Sequence, residues 1–498
     1  MFRPWWKAGR DGCGGGAGGL PGRLAPPMRN QVSGPDLAHL SKRASETSAR
    51  TDRGAETTTG RESPTTMEAR IVCAREVGPK DEAAWRDLAT RAIDPNPLFE
   101  PDCVVPAAVH QSFGQEIDLV LAEEDGVIYG CMPVRQVRRW RRFPYPFVTT
   151  EVRRMIYCGT PLLDPRRSAE AMEAMLRALR KRKTLTTGRV LVLQEVAEGG
   201  PVEEVVLTAT RRARMRLQRH ESWERPYLRR RDEPTYSASI HTKKDLKNMA
   251  RLRRKLEAAV GGPVQLVDRS ADPAAVDELV RLENAGYKAQ IGVAMSTAPG
   301  EIAYFKEMCD RFRDAGRLHV YTLESDGTVC ALVLLVEARD GLMMLKVGYE
   351  ERFARSSPGL QLHLDLIEHF HHHTDAQWLD VCTYPDNRTL LRMYPDRTRF
   401  SSFMVPMGAN PLDHLAVRAF MVLRPLHRRL YDSRTARKQR PGESPGNARG
   451  DGEEPSEQAS GEAGPSEPPS AVGARGVKGA PEPAPPTEPN RVPAPSGR

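Results

Sequence analysis

The stretch "LMMLKVGYEERFARSSPGLQLHLDLIEHFHHH", residues 342–373, decides how the rest of the chain is read. Its opening, LMMLKVGYE, is apolar apart from one lysine and suits a buried strand. Alternation then places Lys346 on one face with Leu342, Met344 and Gly348, and sets Met343, Leu345, Val347 and Tyr349 on the other. An ammonium in such a strand needs a partner or a wet cleft. The turn that follows, Ser-Ser-Pro-Gly, leads into a helix over 359–373. Two readings of that turn are open. It is a plain capped connection, with Pro358 in the first helical turn where no N–H is needed. Or its free backbone amides make an anion site, as a helix N-terminus can.

Working outward, the second half follows one order. Strand 262–268 precedes a helix over 272–288 that opens on Asp-Pro, an N-cap and N1 pair, and a second helix over 299–316 ended by Gly316. A hairpin follows, 317–324 and 328–338 about a DG turn, then the strand 342–350 and the helix 359–373. Strand 377–383, a short helix near 387–394 and strand 399–407 close the series. The result is β-α-α-β-β-β-α-β-α-β, an α+β layer fold with helices on both faces of a mixed sheet. The first half repeats it loosely: strand 69–77, helices 80–93 and 101–113, hairpin 116–137, a strand running into a loop over 152–164, helix 168–183, strand 189–196 and helix 202–215. A shared order at a spacing of about 190 residues predicts a duplicated domain.

The 498 residues leave room for two domains and for tails. Residues 1–66 carry a glycine run and a polar Ser/Thr/Arg stretch, and the Pro/Glu/Gly/Ser composition after 432 offers almost nothing large to bury. Both segments are expected to be disordered. The expected division is 1–66, 67–236, 237–432 and 433–498, with Met67 or Met28 as the expected true start of translation. The opening MFRPWWKAGRDG has no apolar core of signal-peptide length, and the longest apolar run, VCALVLLV at 329–336, is too short to span a bilayer. Eight cysteines are scattered singly with no zinc-site spacing, which suits small buried hydrophobes in a reducing cytoplasm. The histidines at 369 and 371–373 complement a helix C-terminus, and no metal is expected there. Net charge is +9, concentrated in 211–220, 227–233 and 243–257. These segments are read as solvated helix faces and an interdomain linker; a polyanion partner is the competing reading.

Three blocks sharpen the assignment: LENAGYKAQIGVAM (282–295), LKVGYEERFARSSPGLQL (345–362) and WLDVCTYPDNRTLLRMYPDR (378–397). Through Glu283, Gly286, Tyr287 and Lys288, then Lys346, Tyr349, Glu350, Glu351 and Ser357-Pro358-Gly359, then Asp380, Cys382 and Pro385-Asp386-Asn387, the second half resembles the cellulose-biosynthesis-type acetyltransferases. These form a branch of the GNAT acyltransferase superfamily related to the Fem-type tandem-GNAT aminoacyl transferases. Tyr287, Ala289 and Glu350 depart mildly from the branch, and the [QR]-x-x-G-x-[GA] pyrophosphate motif is absent.

The resemblance implies tandem GNAT-like domains, the first degenerate, with acetyl-CoA or another acyl-CoA as co-substrate. The donor thioester would lie where two central strands part. Its diphosphate would cap the helix after the fourth strand, where Arg355, Ser356, Ser357, Gly359 and Leu360 stand. Backbone amides near Val347–Tyr349 would face the tetrahedral oxyanion. Lys346 and its candidate partner Glu283 are either the pair through which an acceptor amine loses its proton or a structural ion pair. Tyr349 or Tyr384 would protonate the leaving thiolate. Lys288, Asp380 and Tyr384 would meet the acceptor, although Asp380 could equally cap the loop after its strand. The expected activity is acyl transfer to an amine or hydroxyl of a small molecule, sugar or cell-envelope precursor. The alternatives are aminoacyl transfer from charged tRNA and a catalytically silent binding scaffold.

Overall fold

The computed structural model describes residues 67–110, 116–140, 143–152, 157–181, 190–232, 236–286, 289, 294–383, 387–408 and 410–438. The expected tails therefore lie outside the described residues, except that the last helix runs on to Lys438, past the expected boundary at 432.

The first half supplies β1 (Glu68–Cys73), α1 (Pro79–Arg91), α2 (Pro101–His110), β2 (Asp118–Glu124), β3 (Val127–Val137), β4 (Phe147–Thr149), β5 (Leu162–Leu163), α3 (Ser168–Lys181), β6 (Val190–Ala197), α4 (Pro201–Arg212) and β7 (Gln218–Arg229). Two helices follow, α5 (Tyr236–Ile240) and α6 (Lys243–Val260). The second half supplies β8 (Gln265–Asp268), α7 (Ala274–Ala285), α8 (Glu301–Asp314), β9 (Leu318–Ser325), β10 (Thr328–Ala338), β11 (Gly341–Tyr349), α9 (Pro358–His373), β12 (Trp378–Asp380), α10 (Arg388–Met393), β13 (Asp396–Pro406) and α11 (Pro411–Lys438). The expected order of the second half is present throughout, with small shifts at the ends. Helix α7, for instance, starts one residue late, and the Asp272 carboxylate accepts the Ala274 N–H at 2.9 Å.

Among the described residues thirteen strands form one sheet, twelve in the order β1-β2-β3-β4-β6-β13-β7-β12-β11-β10-β9-β8, with β5 paired to β3. The order is a palindrome broken only at its centre. There the last strand of each half lies in the other half's place: β13 pairs with β6, and β7 pairs with β12. The two exchanged strands pair with one another as well.

Two expectations are corrected. The basic segments 211–220 and 227–233, read as helix faces and a linker, are joined by a strand, Gln218–Arg229, that takes up part of each. Its partners come from the far half of the chain, so no local periodicity announces it. The strand expected from 152 lies mostly outside the described residues, and strands are described on either side of it at Phe147–Thr149 and Leu162–Leu163. A β-bulge in β11 overturns the simple alternation around Lys346: Leu334 pairs with Lys346 but Leu335 with Met344, leaving Leu345 as the extra residue. One inserted residue exchanges the faces on either side of it. Met343 and Leu345 therefore pack into the core under α7 and α8, while Leu342 and Met344 pack with Val347 and Tyr349 under α9.

Candidate functional site

The parallel pair β11 and β12 holds together only at Gly341↔Trp378, Leu342↔Leu379 and Met343↔Asp380. Beyond Met343 the ladder to β12 stops, whereas the ladder from β11 to β10 continues to Ala331↔Tyr349. The sheet thus splits where the bulge at Leu345 and the buried Lys346 lie.

Lys346 donates to both oxygens of Glu283, at 2.7 and 2.9 Å. The two side chains are 4% and 0% exposed. Helix α7 brings Glu283 there because Gly348 lets it approach: a Cβ at 348 would stand 3.1 Å from atoms of Leu279 and Leu282. Arg281 fastens the same helix to the end of the strand, donating to Glu350 at 2.7 Å. Gly286 lies against Glu351, whose Oε1 is 3.4 Å from where a Cβ would be. The first and second sequence blocks therefore meet at one corner of the sheet.

On the opposite face, a 3-10 turn over Glu351–Ser356 carries the chain to α9. Ser357 adopts φ 53°, a left-handed conformation, and its carbonyl accepts the N–H groups of Leu360 and Gln361. Pro358 has no N–H, so of the first helical turn the amide of Gly359 is left without a partner among the described residues. Tyr349 flanks it, its Cδ1 3.7 Å from a Cβ built at Gly359. Ser356 is buried, and Arg355 is exposed. Lys255 of α6 donates to the Arg355 carbonyl at 3.4 Å. Structure thus joins Glu283 to Lys346 on one face, and on the other packs Val347 and Tyr349 under α9, with Tyr349 beside Gly359. Lys288 and Tyr384 lie outside the described residues.

Asp380, the last residue of β12, caps its own loop: one oxygen accepts the Cys382 N–H at 2.9 Å. The other is held by Arg225, a residue no sequence argument had singled out. Arg225 comes from the exchanged strand β7 and is fully buried. Its Nε donates to Asp380 at 3.1 Å, it also donates to the Tyr157 carbonyl, and its guanidinium stacks 3.8 Å from the Phe400 ring centre. Burial penalises this cation most, but Asp380 together with Glu195 and the neighbouring cysteines outweighs it, and its pKa lies above the usual value. Burial also pushes the nearby Cys158 thiol up to about 11 and Cys382 well above its ordinary range, which suits unreactive cysteines.

The first half has a similar parting after Thr149↔Val192, but its own chain fills it. Thr150 donates to the Val192 carbonyl, and Gly159 to that of Glu195. The fit is so close that a Cβ at Gly159 would lie 2.0 Å from the Gln194 carbonyl oxygen. A separate hollow of about 450 Å³, lined by Ser222, Trp223, Glu224, Leu391 and Arg399, opens beside β7 and β13.

Residues 243–387 match the family model "Acetyltransferase (GNAT) domain". No curated protein matches the sequence. Among solved structures the chain is similar to FemX, at 9% identity and TM-score 0.47, covering 70% of this chain and 99% of that one. It is also similar to a conserved protein of unknown function from Bacteroides thetaiotaomicron (10% identity, TM-score 0.43, 66% and 97% covered). A third is a tandem GNAT protein from the clavulanic acid biosynthesis pathway (12% identity, TM-score 0.38, 69% and 99% covered). The matched GNAT domain spans α6 to the loop after β12.

Proposed function

We propose that this protein transfers an acyl group, acetyl in the first instance, from a CoA thioester to an amine or hydroxyl of a small acceptor. The observation that carries the reading is the split between β11 and β12, bordered by the bulge at Leu345 and ending at the N-terminus of α9. The thioester arm lies along Val347, and the diphosphate meets the Gly359 amide, Ser357, Leu360 and the Arg355 guanidinium, with Ser356 fixing the turn behind them. The acceptor nitrogen or oxygen attacks the thioester carbonyl, the new C–N or C–O bond forms, and the C–S bond breaks. Glu283, hydrogen-bonded to Lys346, takes the acceptor's proton through water; Tyr349 returns one to the departing thiolate. General acid–base assistance of this kind contributes about 10²–10⁴-fold. Asp380 shapes the acceptor side through its loop.

Calorimetric titration of the full chain with acetyl-CoA tests this. Binding is expected, and it should weaken in Arg355→Ala and Gly359→Val. Enzymes commonly work with KM up to about 1 mM. A protein that ignores acetyl-CoA at that level has no such site.

A second reading, aminoacyl transfer from charged tRNA, draws on α6. Its Lys243, Lys244, Lys247, Arg251, Arg254 and Lys255 are exposed, and the helix lies against the turn that carries Arg355. RNA binding that falls steeply with salt would favour it over the first.

A further inference from the structure

We propose that the outward face of α11, together with the arginine-rich stretch ahead of β4, docks on an anionic phospholipid surface. The inward face of α11 is already used. Val417 and Phe420 are buried with Trp140, Phe147 and Met404, and the Phe420 and Trp140 ring centres are 5.2 Å apart. Tyr145 donates to the buried Asp413 carboxylate at 2.7 Å and ties the residues just ahead of β4 to the helix. The opposite face holds Leu412, Leu415, Val422 and Leu423, which are 58%, 61%, 71% and 50% exposed. At 3.6 residues per turn these four fall within an arc of about 100°. They are most of the exposed large hydrophobic side chains among the described residues; the others, Val109 and Val127, stand singly.

The charge around this stripe selects its occupant. Residues 411–438 contain seven Arg and Lys against two Asp, one of them the buried Asp413. Arg418 on the helix and Arg138 and Arg139 ahead of Trp140 are exposed. A second copy would set like charge against like. The chain's own residues 439–498 contain no Leu, Ile, Met, Phe, Tyr or Trp with which to cover the stripe. The aromatic cluster at Phe2, Trp5 and Trp6 carries Arg3 and Lys7, again of the same sign. An anionic bilayer offers both an apolar layer and negative headgroups, and a basic amphipathic helix lies in that boundary plane. Among the described residues no helix is long and apolar enough to cross it.

The test is co-sedimentation of the full-length protein with vesicles of phosphatidylcholine alone and of phosphatidylcholine mixed with phosphatidylglycerol. Binding is expected to the mixed vesicles only, and to fall as salt rises. Replacing Arg138 and Arg139 by Gln should weaken it roughly thirtyfold. Leu415→Ser with Val422→Ser should weaken it roughly tenfold or more. All four positions are exposed, so the melting temperature should stay put and report that the fold is intact. Equal binding to neutral vesicles, no binding, or indifference to either double variant overturns the proposal. So does a concentration-dependent dimer that the serine variant abolishes, since the stripe would then be an interface between copies.

Discussion

Lys346 and Glu283 show why one buried charge is never a local matter. Each alone would be costly in this apolar setting, and together they satisfy one another with two hydrogen bonds. Lys346→Met leaves the carboxylate buried without its cation and should cost about 3–5 kcal/mol. Adding Glu283→Leu removes the stranded charge, and most of that stability should return, as read by urea denaturation. Activity separates the two roles that the sequence left open. If the pair handles a proton, the refolded double variant stays inactive. If it only braces α7 against β11, acyl transfer recovers along with the fold. The sequence named both partners because an isolated lysine in an apolar strand demands one. It misplaced their neighbours because a bulge at Leu345 leaves no signature in composition: Leu345 reads as one more apolar residue.

At the scale of elements, α9 was legible from end to end. Pro358 marks its start, apolar periodicity its buried face, and His371–His373 its close. Strand β7 was not, since QRHESWERPYLR is charged, contains Pro226, and is a strand only because β12 and β13 flank it. Helix α9 also carries a group that no sequence signal singles out. His363 is buried, shares a 2.8 Å hydrogen bond with the Tyr394 hydroxyl, and desolvation lowers its pKa to about 4. Folding therefore favours the neutral ring. The stabilisation is complete above the unfolded-state pKa of about 6.5 and is lost as pH falls through the folded-state value. Docking of α9 should thus forfeit about 3 kcal/mol between roughly pH 6.5 and 4. Urea denaturation of wild type and His363→Gln across that range isolates the effect from other titrating groups. A difference between the two that does not change with pH would refute it.

The whole molecule is more than two folds in a row. A duplicated order was visible in the sequence; the exchange of final strands was not, because pairing between residues so distant in the chain leaves no periodic trace. Its consequence is that neither half holds its own centre together. Residues 237–432 without β7 would leave an edge at β12 and strand the buried Asp380 without Arg225. Residues 67–236 without β13 would expose β6 and part of the core that Phe403 and Val405 complete. Helices α2 and α8 bind the halves a second time, through His110 to Glu307 at 2.7 Å and the Cys103–Tyr304 contact. Each half produced alone should therefore aggregate or remain without fixed tertiary structure. Produced together from two reading frames, they should co-purify and recover the near-ultraviolet dichroism of the intact chain. A soluble, cooperatively melting 237–432 fragment would show that β7 adds nothing the second half requires. Cutting the chain near 236 while keeping both pieces present costs only the connection, since the exchanged strands, unlike the linker, carry the paired charges and the hydrogen-bond ladders that unite the sheet.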